Sequence, residues 1–554
     1  MNKKRVSFIL LLLTFSIVDV SQGQEVYKFW IKLHDKVGCA FSIDNPSAYL
    51  SQRALERRQH QRIAIDSLDL PLSETYLRAF RQAGFIIQNQ SKWLNGVTLF
   101  SPDSMLVDAL DTMSFVDTVI FCERSTIEAP NIVAVGPGLA YLPMAYDSIY
   151  DSNYYLHSYP PIAQLNGIDL HRNGFEGQGL IIGVCDGGYP GVDSIVYFKA
   201  MRDEGRLLDT RDFVWSGNQV FSIHGHGTKV LSLMASYLPG FFVGTAPKAS
   251  YVLCRTENTE RETILEEYNW VAAAEYLDSI GADIITTSLG YFTFDDSLQN
   301  HTLSDLDGNT TPITIAADIA VSRGMLVLNA AGNNGEEGNG RLNAPADAKQ
   351  VLTVGAVTIE KEWAQFSSFG PTADMRVKPD VMAMGAEVYG ATAEGNLSMA
   401  SGTSLATPIM AGMMACLWQR YPNLTPSQLC DSVRAWGNLA NHVDMHSGYG
   451  IPDFSRAFSA DSVQGVDIQQ MTGAPLLFKL NPNPCWKSVW VALPTGFSSS
   501  GAVLIIRDLM GRLIKEIPIS TTRFAVPLDG MPSGTYYVTV IAPAGSSTQK
   551  LVVR

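Results

Sequence analysis

Three side chains in the middle of the chain carry the groups that an acyl-transfer reaction needs: Asp186, His226 and Ser404. A serine hydroxyl is a weak nucleophile at its own pKa and requires a neighbouring base to take its proton. Histidine supplies such a base, and a carboxylate holds the imidazole in the right tautomer. Taken singly, each residue also has a plainer reading. Asp186 ends the apolar run Gly179-Leu-Ile-Ile-Gly-Val-Cys and precedes Gly187-Gly188, a turn sequence. His226, in His224-Gly-His226-Gly-Thr228-Lys-Val, stands where a chain enters a helix. Ser404, in Ser401-Gly-Thr403-Ser404-Leu-Ala-Thr407-Pro408, stands where an N-cap would, with Pro408 expected in the first helical turn.

The elements around these residues decide between the readings. From about 161 to 460 the apolar runs Gly179–Cys185, Ser250–Cys254, Asp283–Thr287, Met325–Asn329 and Val351–Val357 read as buried parallel strands. Helical stretches such as Thr263–Ile280 and Ile315–Arg323 lie between them. This is the alternation of an α/β, doubly wound, mostly parallel sheet. Such sheets build their sites at the carboxyl ends of the strands, where Asp186 falls.

With that context the motifs together resemble the subtilase family of serine proteases. Gly-Thr-Ser404-Leu-Ala-Thr-Pro, His226-Gly-Thr and the strand-end Asp186 occur in the family's order, Asp, His, Ser. Asn329-Ala-Ala-Gly-Asn333-Asn-Gly is similar to its oxyanion loop, and Ser288-Leu289-Gly290 to its substrate-cleft strand. Gly244-Thr-Ala-Pro247, Ala344-Pro345 and Val354-Gly-Ala-Val357 resemble its scaffold. The resemblance implies a serine endopeptidase with Asp186, His226 and Ser404 as triad and Asn333 as oxyanion donor. Ser288, Leu289, Gly290, Ala331 and Gly332 would bind substrate, and the small residues Ser288, Gly290, Ala331 and Gly332 suggest an open S1 pocket admitting large apolar side chains. The chain departs from the pattern at Gly187, where relatives carry Ser or Thr, at Ile409, where many carry His, and at an additional His224. The rival reading is a secreted adhesin or binding scaffold whose subtilisin-like domain no longer acts.

The flanks extend the resemblance. Lys3, Lys4 and Arg5, an apolar stretch to Val18, and Ser21 and Gly23 before Gln24 form a signal peptide over 1–23. Residues 24–125 read as a βαββαβ unit. It comprises a Val26–Leu33 strand, a Ser73–Gln82 helix, strands either side of Asn95-Gly96, a helix near Ser104–Thr112 and a Val116–Phe121 strand. Ser91-Lys-Trp-Leu-Asn95 and Leu50-Ser-Gln-Arg-Ala54 with Arg57-Arg58 resemble an inhibitory propeptide of Bacteroidetes type. Such a segment implies an intramolecular inhibitor, cut within about Arg124–Ala140. A Pro/Gly-rich linker spans 126–160 and a second one 461–474. Residues 475–554 read as a small β-sandwich with a Met510-Gly511 turn. Its Asn481-Pro-Asn-Pro, Arg507-Asp-Leu-Met-Gly-Arg512 and Gly534-Thr-Tyr-Tyr-Val-Thr-Val resemble a type IX secretion sorting domain. Export through the periplasm to the medium or outer surface follows, with the secretion machinery as partner.

Bulk properties exclude other classes. The 554 residues are 46% hydrophobic and 17% charged with a net charge of −14, which argues against nucleic acid as partner. Beyond the signal no stretch reaches the roughly 18 apolar residues of a membrane helix. The seven cysteines form no CxxC pair, so no zinc site is signalled; Cys185 and Cys254 are expected in the core, and a Cys39–Cys122 bridge is open. No cofactor is implied. Asp305-Leu-Asp-Gly-Asn309 has the alternating oxygens of a calcium loop without its distal Glu, and a solvated loop is the better reading. Asp-Ser-Ile, Asp-Ser-Leu and Asp-Ser-Val triplets at 147, 193, 278, 296 and 431 resemble O-glycosylation sites, or are simple caps.

Overall fold

A computed structural model describes residues 25–126, 150–222, 224–337, 340–459, 478–493, 502–508, 513–542 and 545–554. The signal segment, most of the first linker and the Met510-Gly511 turn lie outside the described residues. The chain divides into two units, Met1–Ser462 and Val463–Arg554.

In the first unit, seven strands form one parallel sheet. Across the sheet they run Val381–Met384, Leu352–Val357, Leu326–Ala330, Ile284–Thr287, Ile181–Asp186, Ser250–Arg255 and Leu207–Asp212. The doubly wound α/β fold is as the sequence predicts. The two outermost strands are additions to it. Leu207–Asp212 has four polar residues after its two leucines and is half-exposed, as an edge strand should be, so it shows no apolar run. The central strands are buried along their length.

The helices Leu265–Ile280, Pro312–Ser322 and Thr403–Arg420 pack on this sheet. Leu265–Ile280 is covered on its other side by the N-terminal region and is buried nearly all round. The helix from His226 ends at Ala235. Its continuation, Tyr237–Leu238, pairs instead with Phe242–Val243.

Residues 25–126 form a four-stranded antiparallel sheet in the order Ile86–Ser91, Gly96–Ser101, Glu25–Leu33, Val116–Thr126. The Glu74–Gln82 helix buries Leu77 and Phe80, as its spacing requires. A further helix, Gln52–Gln61, is absent from the expected βαββαβ order. Its sequence QRALERRQHQ carries no apolar stripe, because the face it buries is made of Ala54, Arg57 and Arg58. Those arginines meet the Leu265–Ile280 helix. Arg58 grips Asp278 with both guanidinium nitrogens, at 2.9 Å to each carboxylate oxygen, and reaches Asp69 at 2.7 Å. Arg57 and Lys92 bind the same Asp278. One turn away, Glu275 accepts the backbone N–H groups of Lys92 (2.7 Å) and Trp93 (3.0 Å) and the Ser91 hydroxyl. Trp30 stacks on Tyr268 with ring centroids 4.1 Å apart. Asp278 is therefore a docking residue, buried, with Ser279 and Ile280 of its Asp-Ser-Ile triplet half-buried beside it.

The second unit packs the sheet Lys479–Asn481, Ser488–Ala492, Arg523–Pro527 with the sheet Leu513–Pro518, Val503–Asp508, Gly534–Ala542, Gly545–Val553. Val489, Val491, Leu504, Ile506, Val538, Val540 and Leu551 fill the core between them. All seven cysteines are free, so Cys39 and Cys122 are not bridged. Cys185 and Cys254 are buried opposite one another on adjacent strands.

Candidate active site

Asp186 closes the Ile181–Asp186 strand and is buried. The backbone N–H of Gly187 donates to its Oδ1 at 2.7 Å. His226 opens the helix His226–Ala235, and its Nδ1 lies 3.0 and 2.9 Å from Asp186 Oδ1 and Oδ2. A carboxylate only accepts, so the proton sits on Nδ1 and Nε2 keeps its lone pair. Asp186 raises the His226 pKa above its ordinary value, against the lowering effect of burial.

The His-Gly-Thr motif has a local reason. A Cβ on Gly227 would stand 2.5 Å from the Gly188 carbonyl oxygen, so only glycine lets the Asp186 loop approach. The Thr228 hydroxyl then donates to the Pro190 carbonyl at 2.7 Å and fastens helix to loop. Gly187 has its own constraint. A Cβ there would fall 2.6 Å from the methyl group of Thr259, which fills the space that a side chain after Asp186 would need. Thr259 sits on the 256–263 loop, whose ends are tied by Glu266: it accepts the N–H of Asn258 at 2.8 Å and of Thr263 at 2.9 Å. Glu257 of this loop accepts from Thr256 at 3.0 Å and from Tyr291. Burial pushes its carboxyl up to about 8.

Ser404 lies in the first turn of the Thr403–Arg420 helix and borders the same cavity as His226. Among the described residues no hydrogen bond joins the two side chains; catalytic hydrogen bonds are often long before substrate arrives. Pro408 falls inside the helix, past the first turn where it was expected. It deprives the Ser404 carbonyl of its helical partner, and the Ser288 hydroxyl donates to that carbonyl instead, at 2.8 Å.

Asn333 stands beside Ser404. Its Oδ1 accepts from the Thr403 backbone N–H at 2.9 Å and the Thr403 hydroxyl at 3.0 Å. An N–H can only donate, so this bond fixes which end of the amide is oxygen and leaves Nδ2 free. Nδ2 and Ser404 Oγ both face Gly402, 3.6 and 3.0 Å from where a Cβ would be. Thr403 is thus a positioning residue that motif reading did not single out.

The five expected substrate-lining residues divide. Ser288 is only 7% exposed, its hydroxyl spent on Ser404, and Ala331 is fully buried. These two contribute from behind, while Leu289 is half-buried against the core. Gly290 and Gly332 come together at Asn343: a Cβ on Gly290 would lie 2.8 Å from Asn343 Cβ, and one on Gly332 3.4 Å from its Cγ. His224 is an exposed edge residue with its ring 6.3 Å from that of His226, and Ile409 is core.

The Asp305–Asn309 loop does not fit a calcium ion. Asp305 caps Thr302, Asp307 accepts the Asn309 N–H, and the Lys349 ammonium occupies the Asn309 side-chain oxygen. A cation would have to displace that lysine.

Comparison with known proteins finds likeness over three parts of the chain. Residues 177–450 match the subtilase family, residues 28–132 the Bacteroidota peptidase S8 propeptide domain and residues 479–554 a secretion system C-terminal sorting domain. The serine protease AprX of Bacillus subtilis is 30% identical over 299 residues, 48% of this chain and 63% of its own length. Subtilisin NAT of Bacillus subtilis subsp. natto is 27% identical over 54% of this chain and 70% of its own. Subtilisin DY of Bacillus licheniformis is 28% identical over 47% and 84%. Residues 177–450 are thus a subtilase domain: the chain is a secreted serine endopeptidase made as a precursor, with an S8 propeptide before that domain and a secretion sorting domain after it.

Proposed function

We propose that Asp186, His226, Ser404 and Asn333 carry the hydrolysis of peptide bonds, with no cofactor taking part. The observation that carries this reading is the Nδ1 bond to Asp186, which leaves His226 Nε2 as a base on the cavity that Ser404 borders. Ser404 Oγ attacks the scissile carbonyl and passes its proton to Nε2. The tetrahedral oxyanion is held by Asn333 Nδ2 and the Ser404 backbone N–H. The C–N bond breaks as His226 returns the proton to the leaving amine, giving an acyl-enzyme. Water, activated by the same imidazole, then releases the acid and restores Ser404.

Residues before the scissile bond run along Leu289 and Gly290 and take large apolar side chains at S1. Gly290 and Gly332 let their two segments close on Asn343, which adds a polar group at the junction. A peptide library cleaved chiefly after Lys or Arg would overturn this preference. The precursor is held inactive by residues 25–126. Their last strand brings the chain to Thr126 beside the 256–263 loop, where Arg261 donates to the Arg124 carbonyl at 3.1 Å. Cutting then falls within about Arg124–Ala140. A fluorophosphonate probe tests the whole reading: it should label the processed wild-type chain and leave Ser404→Ala unlabelled. Equal behaviour of the two removes Ser404 from the reaction.

A further inference from the structure

Beside Ser404 lies a cavity of about 470 Å³ that none of the residues assigned above to the acyl side of the substrate borders. Its wall runs from His224 and His226 through Lys229 to the hairpin Val388–Ala391/Leu397–Ala400. Asn333, Gly332 and Ser288–Gly290 are absent from it. A scissile carbonyl that points its oxygen at Asn333, with its preceding residues along Gly290, sends its amine half toward His226, the group that must protonate it. The cavity is therefore on the leaving side.

Its chemistry is set by one half-buried cation. Lys229 lies one helical turn after His226, and its stem crosses the hairpin at Gly390, where a Cβ would come within 2.4 Å of Lys229 Cγ. The ammonium bonds the Ser398 hydroxyl at 2.8 Å and forms no ion pair among the described residues. Burial lowers its pKa, which means that the charge is held without compensation. The cavity's carboxylate, Glu394, sits exposed on the hairpin turn and is engaged by Thr392, so solvent screens it. His224, the other titratable group on the rim besides the catalytic imidazole, adds no negative charge.

We propose that this cavity binds the side chain of the first or second residue after the scissile bond, and that Lys229 makes it select an acidic one, glutamate or aspartate. The inference rests on the Ser404 peptidase reading. A substrate carboxylate would give the ammonium its missing partner in a charge-assisted hydrogen bond, at little cost because the lysine is already ordered.

The test uses the processed enzyme and internally quenched peptides that differ only at P1′ or P2′, carrying Glu, Gln or Lys. Glu is expected to exceed Gln in kcat/KM by roughly tenfold at low salt at one of the two positions, with the ratio shrinking as salt is added. Lys229→Gln should bring the Glu/Gln ratio near one, and Lys229→Glu should turn the preference toward Lys. A wild-type enzyme that prefers Lys, or a Glu/Gln ratio that Lys229→Gln leaves unchanged, overturns the inference while the peptidase reading stands. The salt dependence of the wild-type ratio tests it even where a variant fails to fold. Failure of the wild type to cut any peptide, or equal cutting by Ser404→Ala, brings down the peptidase reading and this inference with it.

Discussion

Thr259 presses its methyl group against Gly187, 2.6 Å from the place where a side chain on that glycine would begin. The residue after the triad aspartate is therefore glycine because a neighbouring loop occupies its space, and the aspartate is oriented by the Gly187 N–H. Gly187→Ser should overpack this contact, destabilise the protein by about 1–3 kcal/mol and lower kcat. Adding Thr259→Gly should recover most of both losses, as measured by thermal unfolding and peptide hydrolysis. Two single changes whose effects merely add would show that the contact is unimportant.

The acid limb of the pH–rate profile is a second consequence. His226 works as a base only when neutral, and Asp186 raises its pKa above 6.5. Activity should fall as pH drops through that raised value, so kcat/KM should lose half its plateau above pH 6.5. Lys229 pulls the same imidazole down, so Lys229→Gln should move the limb to higher pH. A limb that stays put or moves lower contradicts the geometry.

The oxyanion donor has a support that can be removed separately. Asn333→Ala should cost about 10²- to 10³-fold in kcat, the figure for the equivalent residue of subtilisin itself. Thr403→Val keeps the backbone bond to Asn333 and loses the hydroxyl with its bonds to Asn333 Oδ1 and to the Gly332 N–H and carbonyl, so a fall of roughly fivefold is expected. KM should change little in either variant if the interaction belongs to the transition state.

Propeptide docking depends on charges that are out of water. Burial alone would raise the Asp278 pKa, but Lys92, Arg57 and Arg58 more than offset it and keep the residue ionised. Arg58→Ala in an uncut Ser404→Ala precursor leaves that carboxylate short of its bidentate partner. A loss of about 3–5 kcal/mol is expected in denaturant unfolding of the precursor. A loss below about 1 kcal/mol would show that the arginine is dispensable.

Glu257 and Glu275 give the precursor a pH-dependent stability. Burial raises them to about 8 and about 7, above the ordinary carboxylate value. The folded chain then binds more protons than the unfolded one between pH 4.5 and these values. Their contribution is complete below pH 4.5 and is lost as pH rises through 7 and 8. The melting temperature should decline over that window, and Glu257→Gln should flatten the upper part of the decline.

What the sequence could disclose followed from the kind of signal each feature leaves. The central strands show as apolar runs because both sheet faces are covered, and Asp186, His226, Asn333 and Ser404 show because glycine and threonine beside them have fixed backbone tasks. The Gln52–Gln61 helix left no apolar stripe, since Arg57 and Arg58 form its buried face. Thr259 and Thr403 act through tertiary contact with residues 72 and 70 positions away in the chain, and no local pattern records such a pairing. Ser288-Leu289-Gly290 resembles a substrate-cleft strand, and no local pattern shows that the Ser288 hydroxyl is turned to the Ser404 carbonyl.

That last bond ties two distant parts of the chain into one turn. The helix that carries Ser404 cannot satisfy the Ser404 carbonyl, because residue 408 is proline, and the donor that does so arrives from a strand end 116 residues earlier. The first turn of that helix is therefore finished by the sheet, and Ser404 stands on backbone that is complete only where the two meet.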